Sequence, residues 1–288
     1  MKKSHSIWII IVAIFLIITA GLLACYPLIS NRVNSKYQSL IETTYEEELE
    51  ILDKDDIQLA REEAQLYNEC INVQYTLEDV RFAESTYDEL LNLTSSGIMG
   101  YLEIPAISVM LPIYHGTDAE TLEKGIGHLI GSSLPIGGEG THSVLTGHSG
   151  TAGKRLFSDL ENLSCGDMFY LHVLDETLSY MIDGIHTVLP EETDRLKAVE
   201  GEDFCTLVTC TPFGVNSHRL LVRGTRIPYE ETTEVPLPEE QTKVSDSIWE
   251  QEYLRGLTMG CGVLAFFAVL SLTLWFFPAG RKGKHGKK

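Results

Sequence analysis

The chain has 288 residues, and its 41 Asp and Glu against 22 Lys and Arg give a formal net charge of −19. This excess of acid argues against a nucleic-acid-binding protein, because phosphates are bound through Lys and Arg. The length allows one or two domains.

Two apolar runs without a charged residue stand near the ends of the chain, at 7–25 and 257–277. At ~1.5 Å per residue, each is long enough to cross a hydrocarbon core of ~30 Å. Both runs predict transmembrane helices. A cleaved signal peptide is the alternative for the first run, but no small-x-small site ends it, which favours a retained anchor.

Basic residues flank both apolar runs. Lys2 and Lys3 precede the first run, and the second is followed by Arg281, Lys282, Lys284, Lys287 and Lys288. Flanking Lys and Arg stay on the cytoplasmic side of a membrane. We therefore expect a protein of the cell membrane with both termini cytoplasmic and the region between the runs outside the cell.

The segment 31–93 is predicted to be helical. Apolar residues recur there at helical spacing, at Leu40, Ile41, Tyr45, Leu49 and Leu52 and again at Ile57, Ala60, Ala64 and Tyr67. The remaining positions are mostly acidic or polar. This pattern indicates a helical stalk or hairpin packed on a domain.

From residue 97 the chain consists of short β-rich runs separated by Gly and Pro. The runs lie at 98–104, 107–113, 141–147, 167–174, 178–189, 204–210 and 218–227, with helices expected at 119–124 and 155–160. Many short strands with irregular turns predict a mainly β domain, either a closed barrel or a sandwich.

The expected organisation has six parts. They are a cytoplasmic N-terminus with a transmembrane anchor (1–30), an extracellular helical segment with a possible lid (31–96), the β domain (97–228), an acidic linker (229–256), a transmembrane helix (257–278) and a basic cytoplasmic tail (279–288).

Cys210 ends the apolar run TLVTC (206–210), directly before a Thr-Pro turn. A side chain at the end of a strand is rigidly held yet accessible, as a nucleophile must be. The alternative is a buried cysteine that packs as a small apolar residue. Cys205 lies five positions earlier, so on a regular strand it faces the other side, and we expect it in the core.

His148 ends another β-rich run, in LTGHSG (145–150), and imidazole exchanges protons near neutral pH. His142 lies six residues earlier on the same run, ~20 Å away at ~3.3 Å per residue. The two histidines therefore cannot serve one site.

Arg219 and Arg223 share one face of the run 218–227. They stand ~13 Å apart, so only one can reach a given carbonyl oxygen. The short connection after Cys210 favours Arg219, whose guanidinium can stabilise an oxyanion during acyl transfer. The alternative is a surface arginine paired with an acid.

Taken together, these segments resemble those of sortases. TLVTC (206–210) followed by NSHRLLVRG (216–224) is similar to the sortase signature, and LTGHSG is similar to the histidine segment of the family. The segments GYLEIPAISVMLPIYHGT (100–117) and GHLIGSSLPIGGEGTHSVLTGH (127–148) resemble class C sortases, the pilin polymerases of Gram-positive bacteria.

The resemblance implies a closed sortase β-barrel of about eight strands, with Cys210 as nucleophile, His148 as general acid and base, and Arg219 as oxyanion stabiliser. It implies cleavage of an LPXTG-like sorting signal after Thr, through a thioacyl intermediate that a pilin lysine resolves. No metal or organic cofactor is required. We also predict that Thr209 and Thr211, which flank the cysteine, contact substrate.

Class C sortases carry a lid with an Asp-Pro-aromatic motif, and this chain has no Asp-Pro pair at the corresponding place. Ser85, Thr86 and Tyr87 are the degenerate lid positions. Two other functions stay open: a housekeeping sortase that attaches proteins to cell-wall peptide, and a non-catalytic membrane adhesion or scaffold protein with Cys210 in its core.

Overall fold

The computed structural model describes residues 43–72, 86–149, 154–229 and 255–260, together with scattered positions between 15 and 33 and residue 262. The chain divides into two units, Met1–Ser245 and Asp246–Lys288. In the second unit, residues 255–260 are helical. No helix within the described ranges is both long and apolar enough to span a bilayer. The predicted spans at 7–25 and 257–277 fall mostly outside those ranges.

Residues 43–51 and helix α1 (Lys54–Asn72) lie ahead of the β domain. The helical spacing of apolar residues predicted both. In α1, Ile57, Ala60, Ala64 and Tyr67 are all buried in the main core. The helix predicted over 31–93 is interrupted at 52–53, and its parts at 34–42 and 73–85 lie outside the described residues. A 3-10 turn, Tyr87–Glu89, precedes the first strand.

Eight strands form one closed barrel in the order β1-β2-β3-β4-β7-β8-β6-β5. Their bounds are Ile98–Ile104 (β1), Val109–His115 (β2), Ile126–His128 (β3), Thr141–Thr146 (β4), Met168–Val173 (β5), Glu176–Val188 (β6), Asp203–Thr211 (β7) and His218–Ile227 (β8). This confirms the prediction of a mainly β fold with a closed eight-stranded barrel.

The connections contain only short helices. Helix α2 (Ala119–Lys124) lies where it was predicted. The Asp118 carboxylate caps its amino end by accepting hydrogen bonds from the N–H groups of Glu120 and Thr121. The helix predicted at 155–160 is wrong: the chain makes turns there, followed by the 3-10 segment Leu160–Asn162. Strand β3 was missed because it has three residues with a glycine at its centre.

Two strand pairings bring distant parts of the sequence to one end of the barrel. Strand β4 runs parallel to β7, with Thr146 opposite Val208. Strand β8 runs antiparallel to β7, with Cys210 opposite Arg219. The carboxyl ends of β4 and β7 and the amino end of β8 therefore meet at the same place.

The side chains of β7 alternate between the inside and the outside of the barrel. Cys205 and Leu207 belong to the main core, whereas Val208 belongs to a separate outer cluster with Val144, Val188 and Leu221. The outer cluster forms an apolar floor on the barrel surface, leading to the strand ends described above.

Candidate active site

Cys210 is the last residue but one of β7, and its side chain is half-buried on the outer face of the barrel. It continues the row of outward positions that contains Val208. Cys205 has no exposed surface and lies in the main core, as predicted. Burial raises the pKa of the Cys205 thiol well above its ordinary value. Of these two thiols, therefore, only Cys210 is placed to meet a substrate.

Arg219 stands directly across from Cys210 in the antiparallel pair of β7 and β8, so both side chains lie on the same face. Its Nη1 donates to the carbonyl oxygens of His218, at 3.1 Å, and Asn216, at 3.3 Å. Among the described residues no carboxylate forms an ion pair with this guanidinium. In the described part of the chain, the guanidinium of Arg219 is therefore not held by a neighbouring carboxylate.

Arg223 is engaged elsewhere on the same strand. Its Nε and Nη2 donate to the two carboxylate oxygens of Asp183, at 3.0 and 2.7 Å. Its guanidinium also lies 4.4 Å from the centre of the Phe204 ring. Its cross-strand partner is Thr206, four residues before Cys210. The guanidinium of Arg223 is thus held by Asp183, and Arg223 is paired further along β7 than Arg219.

His148 lies two residues beyond Thr146, and Cys210 two residues beyond Val208. Thr146 and Val208 are paired in parallel strands. His148 and Cys210, each two residues further on, are therefore at the same height on adjacent segments of the chain. The N–H of Gly147 donates to the Val208 carbonyl at 3.0 Å and continues the pairing past the end of β4. The half-buried imidazole is therefore held at the same end of the barrel as the thiol.

Gly147 is required by the packing of this turn. A Cβ atom at this position would lie 2.7 Å from Cδ2 of Phe157, closer than real contacts allow. On the other side of the turn, the N–H of Phe157 donates to the His148 carbonyl at 3.0 Å. The glycine next to His148 thus allows the ring of Phe157 to close against the turn.

The placement of Thr209 and Thr211 corrects the prediction that they contact substrate. Both alternate with Cys210 and so face the opposite side of β7. The Thr209 hydroxyl is buried and donates to the Gly147 carbonyl at 2.8 Å. The Thr211 hydroxyl donates to Glu161 at 2.5 Å. Thr209 instead ties the strand of Cys210 to the turn of His148.

His142, the other histidine of β4, is buried and has both ring nitrogens occupied. Nδ1 lies 3.0 Å from the Lys197 carbonyl and Nε2 lies 2.7 Å from the Thr206 hydroxyl. Burial lowers its pKa, and the charge of Arg223 adds to that effect. These contacts make His142 a structural residue, distinct from His148.

The lid positions divide between described and undescribed residues. Ser85 lies outside the described residues, and Thr86 is half-buried at the start of the 3-10 turn. Tyr87 is buried in the main core, where its hydroxyl lies 2.9 Å from Nδ1 of His128 and accepts the N–H of Gly116 at 3.1 Å. Burial raises the pKa of Tyr87 and lowers that of His128 to about 4. Tyr87 therefore anchors the segment before β1 and does not plug the site.

A groove of about 290 Å³ leads away from Arg219 along the barrel surface. Its floor is the outer cluster Val144, Val188, Val208 and Leu221, and its walls include Leu122, Leu129, Leu196 and Pro190. An extended peptide with apolar side chains fits such a surface, because burying them releases water from both partners. In the described part of the chain, no three His, Cys, Asp or Glu side chains are grouped to hold a metal ion.

A protein-family profile described as Sortase domain matches residues 102–227. Sortase C1 from Streptococcus agalactiae is 42% identical, with a TM-score of 0.61 over 66% of this chain and 99% of that one. Sortase C-1 from Actinomyces oris is 45% identical, with a TM-score of 0.56 over 61% and 99%. This chain belongs to the sortase family. Sortases are cysteine transpeptidases, and the neighbouring structures confirm the resemblance to class C.

Among curated proteins, Sortase A from Bacillus anthracis is 30% identical over 135 residues. The match covers 46% of this chain and 61% of that relative's own length. The range of this chain that the family profile matches, 102–227, includes His148, Cys210 and Arg219.

Proposed function

We propose that this sortase is a pilin polymerase: a cysteine transpeptidase that cleaves an LPXTG-like sorting signal after Thr and joins it to a pilin lysine. The observation that carries the proposal is the arrangement of three side chains at one end of the barrel. Cys210 and Arg219 are paired across two strands, and His148 follows the end of β4, the strand that pairs with the other side of β7. The groove that starts at Arg219 supplies an apolar surface for the signal.

The first half of the reaction forms a thioester. The Cys210 thiolate attacks the carbonyl carbon of Thr, and the guanidinium of Arg219 stabilises the negative oxygen. As the intermediate collapses, the bond between Thr and Gly breaks and His148 gives a proton to the leaving amine.

The second half reverses the roles. An uncharged lysine amine of another pilin attacks the thioester, His148 accepts its proton, and the Cys210 thiolate leaves. The product is an amide between Thr and lysine, and the enzyme returns to its starting state. Water in place of the amine would give hydrolysis. The proposal needs no cofactor.

The solved neighbours favour a pilin as the substrate. The Streptococcus pneumoniae sortase C structure, 43% identical to this chain, is reported to give insight into pilin substrate specificity. The alternative is a housekeeping sortase that uses a cell-wall peptide amine. The apolar runs and their flanking basic residues support a catalytic domain held at the outer surface of the cell membrane.

The test uses the full-length protein with a pilin that carries a C-terminal sorting signal. We expect covalent multimers that survive a denaturing gel, and none with Cys210→Ala. The matched control is Cys205→Ala, which removes the core thiol and should still form multimers. A pilin with acetylated lysines should give no multimers. Multimers formed by Cys210→Ala would refute the mechanism, and products formed only with cell-wall peptide would favour the alternative.

A further inference from the structure

A second cavity lies next to the groove of the proposed active site. This distal chamber has a volume of about 400 Å³ and is lined by Leu129, Ile130, Ser132, His142, Val144 and Leu196, among others. Three of these residues, Leu129, Val144 and Leu196, also line the groove beside Arg219. The two cavities therefore adjoin each other on the barrel surface.

The position of the chamber along β4 gives its distance from the reacting atoms. Val144 and His142 lie four and six residues before His148, which is ~13–20 Å at ~3.3 Å per residue. In an extended sorting signal, the Leu of LPXTG lies three residues before the scissile Thr, ~10 Å away. The chamber is therefore reached by residues one to three places ahead of that Leu.

The chamber is lined by both polar and apolar groups, and several of its polar side chains are bonded within the protein. The Ser132 hydroxyl donates to the Leu129 carbonyl at 2.7 Å, and both ring nitrogens of His142 are occupied. The Lys197 ammonium is paired with Asp194 at 2.6 Å. The apolar side chains that remain to contact a ligand in the chamber are those of Leu129, Ile130 and Leu196.

The direction of the peptide follows from the proposed reaction. The leaving amine must lie beside His148, at the end of the strands. The acyl part then extends the other way, over the floor beside Arg219, and its N-terminal continuation enters the distal chamber.

We infer that the distal chamber binds apolar side chains of the residues that immediately precede the sorting pentapeptide. The chamber thus extends substrate recognition beyond the pentapeptide. This inference rests on the proposed function and adds to it a preference between pilins that carry the same pentapeptide.

The test compares peptides that share one LPXTG pentapeptide and differ in the three residues before it, which are Leu, Asp or Lys. For the full-length protein we expect kcat/KM for the Leu peptide to exceed that of both charged peptides about tenfold, as for a missing apolar contact. Ile130 is 53% exposed at the chamber wall, so substitution there leaves the fold intact. We expect Ile130→Lys to favour the Asp peptide and Ile130→Glu to favour the Lys peptide.

Val199 provides the matched control. It is 49% exposed on the loop that carries Leu196, and it lines neither cavity. Val199→Lys should keep the preference of the unchanged protein. Equal cleavage of all three peptides would overturn the inference while leaving the proposed function standing. A preference that Ile130→Lys and Ile130→Glu do not alter would overturn the assignment to the chamber. Failure to cleave any of the peptides would overturn the proposed function as well.

Discussion

Substitution of Thr209 by Val tests whether this residue positions the catalytic groups or contacts substrate. Val keeps the shape of the side chain and removes the hydroxyl that donates to the Gly147 carbonyl at 2.8 Å. Because Thr209 is only 2% exposed, water cannot replace the lost donor. The Gly147 carbonyl, next to His148, is then left without this donor. The turn keeps its hydrogen bond from the Gly147 N–H to the Val208 carbonyl but loses this second link to the strand of Cys210.

The expected cost has two parts. A buried carbonyl that loses its donor costs about 1–3 kcal/mol. For a domain of this size, each kcal/mol lowers Tm by roughly 2–4 °C, so we expect a decrease of roughly 4–8 °C for a loss near 2 kcal/mol. A shift of the imidazole by a fraction of an ångström also lowers kcat, by about tenfold or more, because catalysis depends on the alignment of the reacting groups.

The assay combines thermal unfolding with kinetics on a sorting-signal peptide. A positioning role predicts a lower kcat with an unchanged KM, and a lower Tm. Thr209→Ser keeps the hydroxyl and should recover most of both. If Thr209→Val instead raises KM and leaves kcat and Tm unchanged, the side chain contacts substrate and our account of the Thr209–Gly147 hydrogen bond is wrong.

Two further predictions concern the arginines of β8 and their partners. Arg219→Lys keeps the charge but loses the planar guanidinium. We expect turnover of a sorting-signal peptide to fall about 10²–10³-fold, as when an oxyanion donor is removed. Turnover by Arg223→Lys should stay within a few-fold of the unchanged protein, and a larger deficit for Arg223→Lys would contradict the roles proposed for the two arginines. Burial opposes ionisation of Asp183, but hydrogen bonds from Arg223 and Thr225 lower its pKa below the ordinary 3.8. The stabilisation from this carboxylate is therefore present above pH 3.8 and is lost as the pH falls through its folded-state pKa. Asp183→Asn should weaken the pH dependence of the free energy of unfolding measured below pH 3.8. An unchanged pH dependence would refute this account.

The relative placement of Cys210 and Arg219 could be predicted from the sequence because it depends on short distances along the chain. The alternation of side chains separated Cys210 from Cys205, and the short connection to the next strand favoured Arg219 over Arg223. The same alternation places Thr209 and Thr211 on the other face, so the signal that corrects this prediction was already present in the sequence.

Other features depend on pairings that no local pattern reveals. His148 and Cys210 lie at the same height because β4 pairs in parallel with β7, and no local sequence pattern predicts that pairing. The distal chamber requires the same pairing together with residues of two loops. The buried role of Tyr87 could not be inferred either, since its contacts are with Gly116 and His128, far along the chain.

The parallel pairing of β4 and β7 also affects when the enzyme becomes active. Thr209 and Gly147, which tie the two strands together, are 62 residues apart in sequence. Closing so long a loop costs entropy before the contact returns any energy, so such pairings form late in folding. In a chain whose barrel has not yet closed, Cys210 and His148 are therefore not held near each other. Its reactivity toward other proteins begins only when barrel closure brings the two together.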